Sequence, residues 1–308
     1  MKAVVLHEYG PAKNLKWEDV SDPQPGEGEV LVRVHAAGIN PIDWKVRSGA
    51  MKEFMPQEFP TILGYDFAGT VQALGEKVTG LKVGDRVFGL SSHTYAELVV
   101  ANVAAIALVP GEAAGRPALE MTTAGAVPLA STTGSQIMLE GAEAKAGQTI
   151  VLTGATGSVG RVALYAAKEV GAKVIALVRA KNIDEALKLG ADAAIDSGDD
   201  AELAKLGMVD AVADLVGGPL AVKLLSKVRP GGIFASAVGA PAEAKLHPTI
   251  TAKSFQQHPD PQAFVHYGEA VRDGKLVLPI DRVMPMEDAA EAQAVGEKGG
   301  TGKIVLTA

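Results

Sequence analysis

The stretch TIVLTGATGSVGRVALYAAKEVG, Thr149 to Gly171, decides the fold class of this chain. Thr149–Thr153 is a short apolar run of strand length. Val159–Val170 then places Val159, Val162, Ala163, Ala166, Ala167 and Val170 on one helical stripe, and Gly171 stops it. Between the two lies Ala155-x-Gly157-x-x-Gly160, the dinucleotide fingerprint with its first glycine replaced by alanine. Small residues there let the chain turn sharply out of a strand, bring its backbone up to a pyrophosphate, and pack the helix closely on the sheet. The helix start offers N–H groups and a positive dipole end to phosphates. Gly154, Thr156, Gly157, Ser158, Val159 and Gly160 are the residues expected to hold such a group. The same letters also serve a turn kept only for packing. The strand before, the helix after and the further units downstream favour cofactor binding.

Downstream the alternation continues. Strands are expected at Lys173–Val178, Ala193–Asp196, Asp210–Val216 and Ile233–Val238, with a sixth near Ile250–Phe255. Helices are expected at Ile183–Leu189, Glu202–Leu206 and Leu220–Val228. Such alternation predicts a parallel sheet with right-handed crossovers. Leu215, Val216 and Val238 end strands on the side where such sheets bind ligands. The end of the second strand bears on the choice of cofactor. An NAD site usually carries Asp or Glu there for the ribose 2′-hydroxyl. This chain reads Val178-Arg179-Ala180-Lys181-Asn182, with no acid. Arg179 and Lys181 would attract a 2′-phosphate, so NADPH is the expected cofactor, with Asn182 beside it. Read without a ligand, Arg179 and Lys181 are solvated cations, and Asn182 with Glu185 forms a reciprocal helix cap.

Upstream, residues 1 to about 118 read as β-rich. Lys2–Leu6 is a short apolar run, and Glu29–Ala36 puts Val30, Val32 and Val34 on one face. Phe67–Leu74, Arg86–Phe88 and Tyr95–Val100 are further strands, separated by Gly75, Gly80, Gly84 and Gly89. The tail, Pro261–Ala308, offers a helix, a strand at Ile280–Val283, a helix from Glu287 and a strand at Lys303–Leu306. That is too little for its own core, so it is expected to rejoin the first part. The division predicted is 1–118 and 261–308 for one domain and 119–260 for the other.

Composition agrees with two domains, since 308 residues exceed one ordinary domain. Hydrophobic residues are 47%, aromatics 5% and charged residues 21%, with 35 glycines, so much of the core must be aliphatic and tightly packed. The absence of cysteine removes disulfides, thiolate metal sites and thiol nucleophiles. A net charge of −7 argues against a nucleic-acid partner. The segment Met1–Glu8 is charged too soon for a signal peptide, and the apolar stretch Val103–Leu129 is broken by Pro110, Glu112, Arg116, Pro117 and Glu120. A soluble, cytoplasmic chain with no membrane partner is the expectation.

Several segments in order carry a resemblance. They are AAGINPIDWK (Ala36–Lys45), LGYDFAGTV (Leu63–Val71), VTGLKVGDRVF (Val78–Phe88), Pro128–Thr133, the Gly154–Gly160 loop, Pro230-Gly231-Gly232 and GKIVL (Gly302–Leu306). Together they resemble the medium-chain dehydrogenase/reductase superfamily, in its zinc-independent quinone oxidoreductase and enone (alkenal) reductase branch. The resemblance implies an α/β chain with a GroES-like β-rich catalytic domain, a central Rossmann domain with a doubly wound parallel sheet, and a cofactor cleft between them. Zinc-dependent relatives carry a Cys after the Ala-Gly turn, a Gly-His-Glu segment and a four-Cys lobe. Here the matching positions are Asn40 to Asp43 and Gly64-Tyr65-Asp66, and the lobe is missing, so no metal is expected.

The resemblance also places candidate roles. Asn40 is implied near the nicotinamide ribose, although Asn40-Pro41 also reads as a turn. Lys45 matches a lysine of enone-reducing relatives, and its ammonium would stabilise a developing enolate. Asp43 would orient Lys45, bind the ribose or cap the following turn. Tyr65 would line the substrate cleft or pack as a wall, and Thr133 matches a threonine that contacts the nicotinamide amide. Lys45 and Met51 stand where bacterial quinone reductases often carry tyrosines, which shifts weight toward enones or alkenals. Ser197 likewise replaces a tyrosine at its strand end. Hydride transfer from NADPH to a small-molecule quinone or α,β-unsaturated carbonyl is the expected activity, with an enoyl-thioester reductase and a non-catalytic NADPH-binding sensor or structural protein as rivals. A homodimer through the outer strand, Ile250–Phe255, is the expected assembly.

Overall fold

Val30, Val32 and Val34 are all buried, and the strand that carries them is the axis of the first half of the molecule. The computed structural model describes residues 1–113, 115–299 and 302–308. Along the chain come β1 (Lys2–Leu6), β2 (Leu15–Asp19), β3 (Glu29–Gly38), α1 (Pro41–Arg47), β4 (Thr61–Ile62), β5 (Asp66–Leu74), β6 (Arg86–Leu90), β7 (Leu98–Asn102) and β8 (Ile106–Leu108). Next are α2 (Met121–Ala124), α3 (Pro128–Gln136), β9 (Thr149–Thr153), α4 (Ser158–Glu169), β10 (Lys173–Val178), α5 (Ile183–Lys188), β11 (Ala193–Asp196) and α6 (Asp200–Lys205). The rest is β12 (Val209–Asp214), α7 (Gly218–Leu225), β13 (Val228–Ser236), β14 (Thr251–Ser254), α8 (Pro261–Arg272), β15 (Ile280–Pro285), α9 (Ala289–Glu297) and β16 (Lys303–Thr307).

Two compact units emerge, Met1–Leu129 with Pro259–Ala308, and Ala130–His258. The first keeps the chain past residue 118, because α2 packs on β3, β5 and β16. In this unit β3 pairs antiparallel with β5, β7 and β16. The pairing of Val305 with Gly38 and Leu306 with Ala37 is how the tail rejoins the amino-terminal strands. Phe67, Phe88 and Tyr95 are fully buried in this unit, together with the inward face of β3. A smaller sheet of β2, β1 and β4 completes it.

The second unit is a six-stranded sheet in the order β11-β10-β9-β12-β13-β14, every pair parallel. Counted from β9 this is 3-2-1-4-5-6, the Rossmann order, whose direction of winding reverses between β9 and β12. The expected sixth strand is present and narrower, at Thr251–Ser254. Ile150, Leu152, Ala163, Leu164, Ala167, Val174 and Ala176 form one buried cluster, so α4 packs on the sheet through alanine and aliphatic side chains. Such small residues are what an aromatic-poor chain needs to reach interior packing density.

Several local expectations shift. The strand expected at Asp210–Val216 stops at Asp214, and the one expected at Ile233–Val238 runs from Val228 to Ser236. Leu215, Val216 and Val238 therefore sit in the turns after the strands. The strand expected from Tyr95 begins at Leu98. Asn40-Pro41, read as a turn, starts α1, because proline at the first helical position loses no hydrogen bond there. Among the described residues no helix is long and apolar enough to cross a membrane.

Candidate active site and cofactor-binding loop

In the first unit β3, β5 and β16 bring three polar side chains into the core. The Lys303 ammonium donates to Asn40 Oδ1 at 2.6 Å and to Asp66 Oδ2 at 2.9 Å. Asn40 Nδ2 donates to Asp66 Oδ2 at 2.9 Å and to the Gly38 carbonyl at 3.2 Å. Asp66 Oδ1 accepts the Leu129 backbone N–H at 2.7 Å, at the start of α3. All three are buried, at 4%, 0% and 6% exposure for Asn40, Asp66 and Lys303. Gly38 makes room for them, since a β-carbon there would lie 2.8 Å from Lys303 Cε and 2.9 Å from Asp66 Oδ2. Asn40 thus spends both ends of its amide inside the unit. Its amide oxygen accepts from Lys303, and its amide nitrogen donates to Asp66 and the Gly38 carbonyl.

Asp43 is fully buried as well. Its Oδ2 accepts the Asn40 backbone N–H at 2.6 Å and the Tyr95 hydroxyl at 2.7 Å. Burial pushes its carboxyl up to about 7, against the lowering effect of those two hydrogen bonds and of the Lys303 charge. The same burial, with the Asp43 charge beside it, raises the Tyr95 hydroxyl well above its ordinary range. Asp43 Oδ2 thus caps the start of α1, while Asp43 Oδ1 is buried without a hydrogen-bond partner among the described residues.

Lys45 and Tyr65 are placed differently. Lys45 lies in the last turn of α1 and is half-buried. Among the described residues its ammonium has no hydrogen-bonding or ionic partner. Tyr65 sits between β4 and β5, half-buried, and its phenol is pushed up to about 12, first by burial and then by the Asp43 charge. At neutral pH the Tyr65 phenol keeps its proton and is a donor.

In the second unit the turn out of β9 is made by Gly154, at φ +68°. The glycine that turns the chain therefore lies one residue before Ala155, which is fully buried. Gly160 is the close-packing position, because a β-carbon there would meet the Gly154 carbonyl oxygen at 2.1 Å. Gly157 is the N-cap of α4 and offers no capping side chain. A β-carbon on it would approach nothing nearer than that same oxygen at 3.5 Å, so the space above the first turn is open. Ser158 and Val159 are half-buried at this opening. Open backbone N–H groups at the start of a twelve-residue helix, beyond the carboxyl end of β9, fit a dinucleotide pyrophosphate.

The turns after β12 and β13 are held by a group absent from the sequence-based candidates. Asp214, fully buried, accepts Thr153 Oγ1 at 2.9 Å, the N–H groups of Val216 and Gly217 at 3.1 and 3.0 Å, and Ser236 Oγ at 2.7 Å. The signal was an acid inside the apolar run AVADLV. It fixes a loop whose Val216 is 56% exposed and lies over Gly154, with Val238, 42% exposed, beside Gly217. Together with half-buried Leu215 these residues form an apolar shelf beside the glycine loop. Thr133 is half-buried on α3, next to Gly134, which lies against the Val159 backbone. Arg179 and Lys181 are exposed after β10, and among the described residues neither has an ionic partner. Asn182 Nδ2 donates to Thr156 Oγ1 at 3.1 Å, so this amide ties the two loops together and does not form the expected cap with Glu185.

Residues 26–112 match the family described as Alcohol dehydrogenase GroES-like domain, and residues 189–306 match Zinc-binding dehydrogenase. A 2-methylene-furan-3-one reductase of Solanum lycopersicum is 32% identical over 323 aligned positions, covering 99% of this chain and 79% of that protein. The chloroplastic quinone-oxidoreductase homolog of Spinacia oleracea is 34% identical over 206 residues, covering 64% of this chain and 61% of that protein. The match thus spans about three fifths of the length of that relative. The structure of the quinone oxidoreductase from Coxiella burnetii aligns with a TM-score of 0.88 and 30% identity, covering 100% of this chain and 99% of that one. The second family description implies zinc, and the residues do not fit it. The chain has no cysteine, and among the described residues no three His, Asp or Glu side chains are grouped to hold a metal. The oxygens of Asn40 and Asp66 already bind an ammonium.

Proposed function

The chain belongs to the medium-chain dehydrogenase/reductase family, and from that premise we propose that it is an NADPH-dependent, zinc-independent reductase of quinones or α,β-unsaturated carbonyls. The observation that carries the reading is the pair Arg179 and Lys181, exposed after β10 and without ionic partners among the described residues, where an NAD site would carry a carboxylate. Two unpaired cations at that position suit a 2′-phosphate. The first-turn N–H groups of α4 would receive the pyrophosphate, with Gly154, Thr156 and Gly157 shaping the loop around it. Leu215, Val216 and Val238 would give the cofactor an apolar surface, and Thr133 a hydroxyl.

When bound, the nicotinamide supplies a hydride. The chain's own task is then to receive the charge that develops on the acceptor's oxygen. Lys45 does this with an ammonium that has no competing partner among the described residues. Tyr65 is a second donor, kept protonated by the burial that raises its phenol to about 12. Asn40 and Asp43 act one step back: they hold Lys303 and the first turn of α1, and so fix the helix that carries Lys45. The final proton comes from water. An acceptor that is already electrophilic needs no Lewis acid, which matches a polar core built around an ammonium. The exposed strand β14, at the free edge of the parallel sheet, supports a homodimer.

The test is NADPH oxidation against a panel of quinones beside short and long enones, with and without chelator. Turnover above background, insensitive to chelator, is the expected result. No turnover on either substrate class would remove the enzyme reading.

A further inference from the structure

A cation beneath the glycine loop has no part in the roles assigned so far. Arg161 lies in the second turn of α4, and its side chain is 6% exposed. Its Nε donates to the Thr156 carbonyl at 2.9 Å, and its Nη2 pairs with Glu185 Oε1. Glu185 stands in the first turn of α5, four residues after Lys181, with its side chain 46% exposed. A further hydrogen bond between the loops runs from Asn182 Nδ2 to Thr156 Oγ1. The acids of the β10–α5 segment are thus Asp184, exposed in solvent, and Glu185, held by Arg161.

We propose that Arg161 is a specificity-determining residue for a 2′-phosphorylated dinucleotide, acting by capturing the Glu185 carboxylate that would otherwise face the Arg179–Lys181 pair. This rests on the NADPH reading above. Without Arg161, Glu185 is a free carboxylate in the first turn of α5, four residues after Lys181 in the 3-10 turn Ala180–Asn182 that precedes it. It would both repel a phosphate and compete for the cations meant for it. With Arg161 in place, that charge is neutralised by the guanidinium. The Arg161–Thr156 bond adds a mechanical element, because the same guanidinium fixes the loop edge that Asn182 grips from the other side. Arg161 is therefore a positioning residue: it selects the cofactor through Glu185 and does not itself touch the phosphate.

Binding of two cofactor fragments, 2′,5′-ADP and 5′-AMP, to the full chain separates the possibilities by calorimetry, with thermal melts to verify folding. The wild type is expected to prefer 2′,5′-ADP. Arg161→Met is expected to weaken 2′,5′-ADP by about tenfold, the scale of one charge contact in a partly exposed site, and 5′-AMP by less than about twofold. Arg161→Met combined with Glu185→Gln should recover most of that loss. Glu185→Gln alone, which keeps every cation, should hold or tighten 2′,5′-ADP, and it decides the matter if Arg161→Met does not fold. Equal weakening of both fragments in Arg161→Met, no recovery in the double variant, or weakening of both by Glu185→Gln would overturn the proposal and leave Arg161 a scaffold for the loop. A wild type that binds both fragments equally would instead bring down the NADPH reading itself, and this inference with it.

Discussion

The polar groups of the two units are used in opposite ways. In the first, Asn40, Asp66 and Lys303 satisfy one another in the core, and a buried ammonium is consumed by its neighbours. In the second, Arg179 and Lys181 stand exposed without ionic partners among the described residues, and the first turn of α4 has no capping side chain. A saturated polar group holds the fold, whereas an unsaturated one at the carboxyl end of a parallel strand is available to a ligand. Lys45 follows the pattern of the second unit while belonging to the first, since among the described residues its ammonium has no partner.

Removing the buried cation should have the largest effect. Lys303→Met leaves Asp66 without its countercharge and is expected to cost about 3–5 kcal/mol, read by denaturant unfolding. A loss below about 1 kcal/mol would mean that this network is not the structural anchor described here. Asp43→Asn comes next. The Asp43 carboxyl is raised in the folded state, so stability falls as pH climbs from the unfolded value near 4 to about 7, where the buried group finally ionises. The asparagine variant should match the wild type near pH 4 and exceed it at pH 8 by about 4 kcal/mol. An unchanged difference between the two pH values would show that Asp43 does not titrate in this range.

Lys45→Met should lower kcat/KM for enones by about tenfold, the loss of one charged hydrogen bond, while leaving the melting temperature nearly unchanged. A matching loss of stability would move Lys45 to the structural side of the comparison. The smallest effect belongs to Arg179→Ala, which should alter stability by less than about 0.5 kcal/mol because its guanidinium is exposed and has no ionic partner among the described residues.

The sequence made the second unit legible because its apolar residues repeat at strand and helix periods, and the glycine loop lies within one continuous stretch. The first unit was read less completely. Strand β2 was missed because its burial alternates poorly, and β4 and β8 because they have only two and three residues. Helix α1 hid behind an Asn-Pro pair that also signals a turn. The Asn40–Asp66–Lys303 network could not be read at all, since its members lie 26 and 237 residues apart and meet through the pairing of β3 with both β5 and β16. Arg161 escaped for a related reason. It is one of several charges on an amphipathic helix, and only the approach of α5 gives it a partner.

The central claim is that the exposed cations after β10 read a 2′-phosphate. The most direct measurement is the ratio of kcat/KM with NADPH to that with NADH, for the wild type and for Arg179→Asp, using one enone throughout. The account predicts a wild-type preference for NADPH of at least about tenfold, reversed in the variant. A wild type that uses NADH as well as NADPH, or a ratio untouched by the substitution, would contradict it.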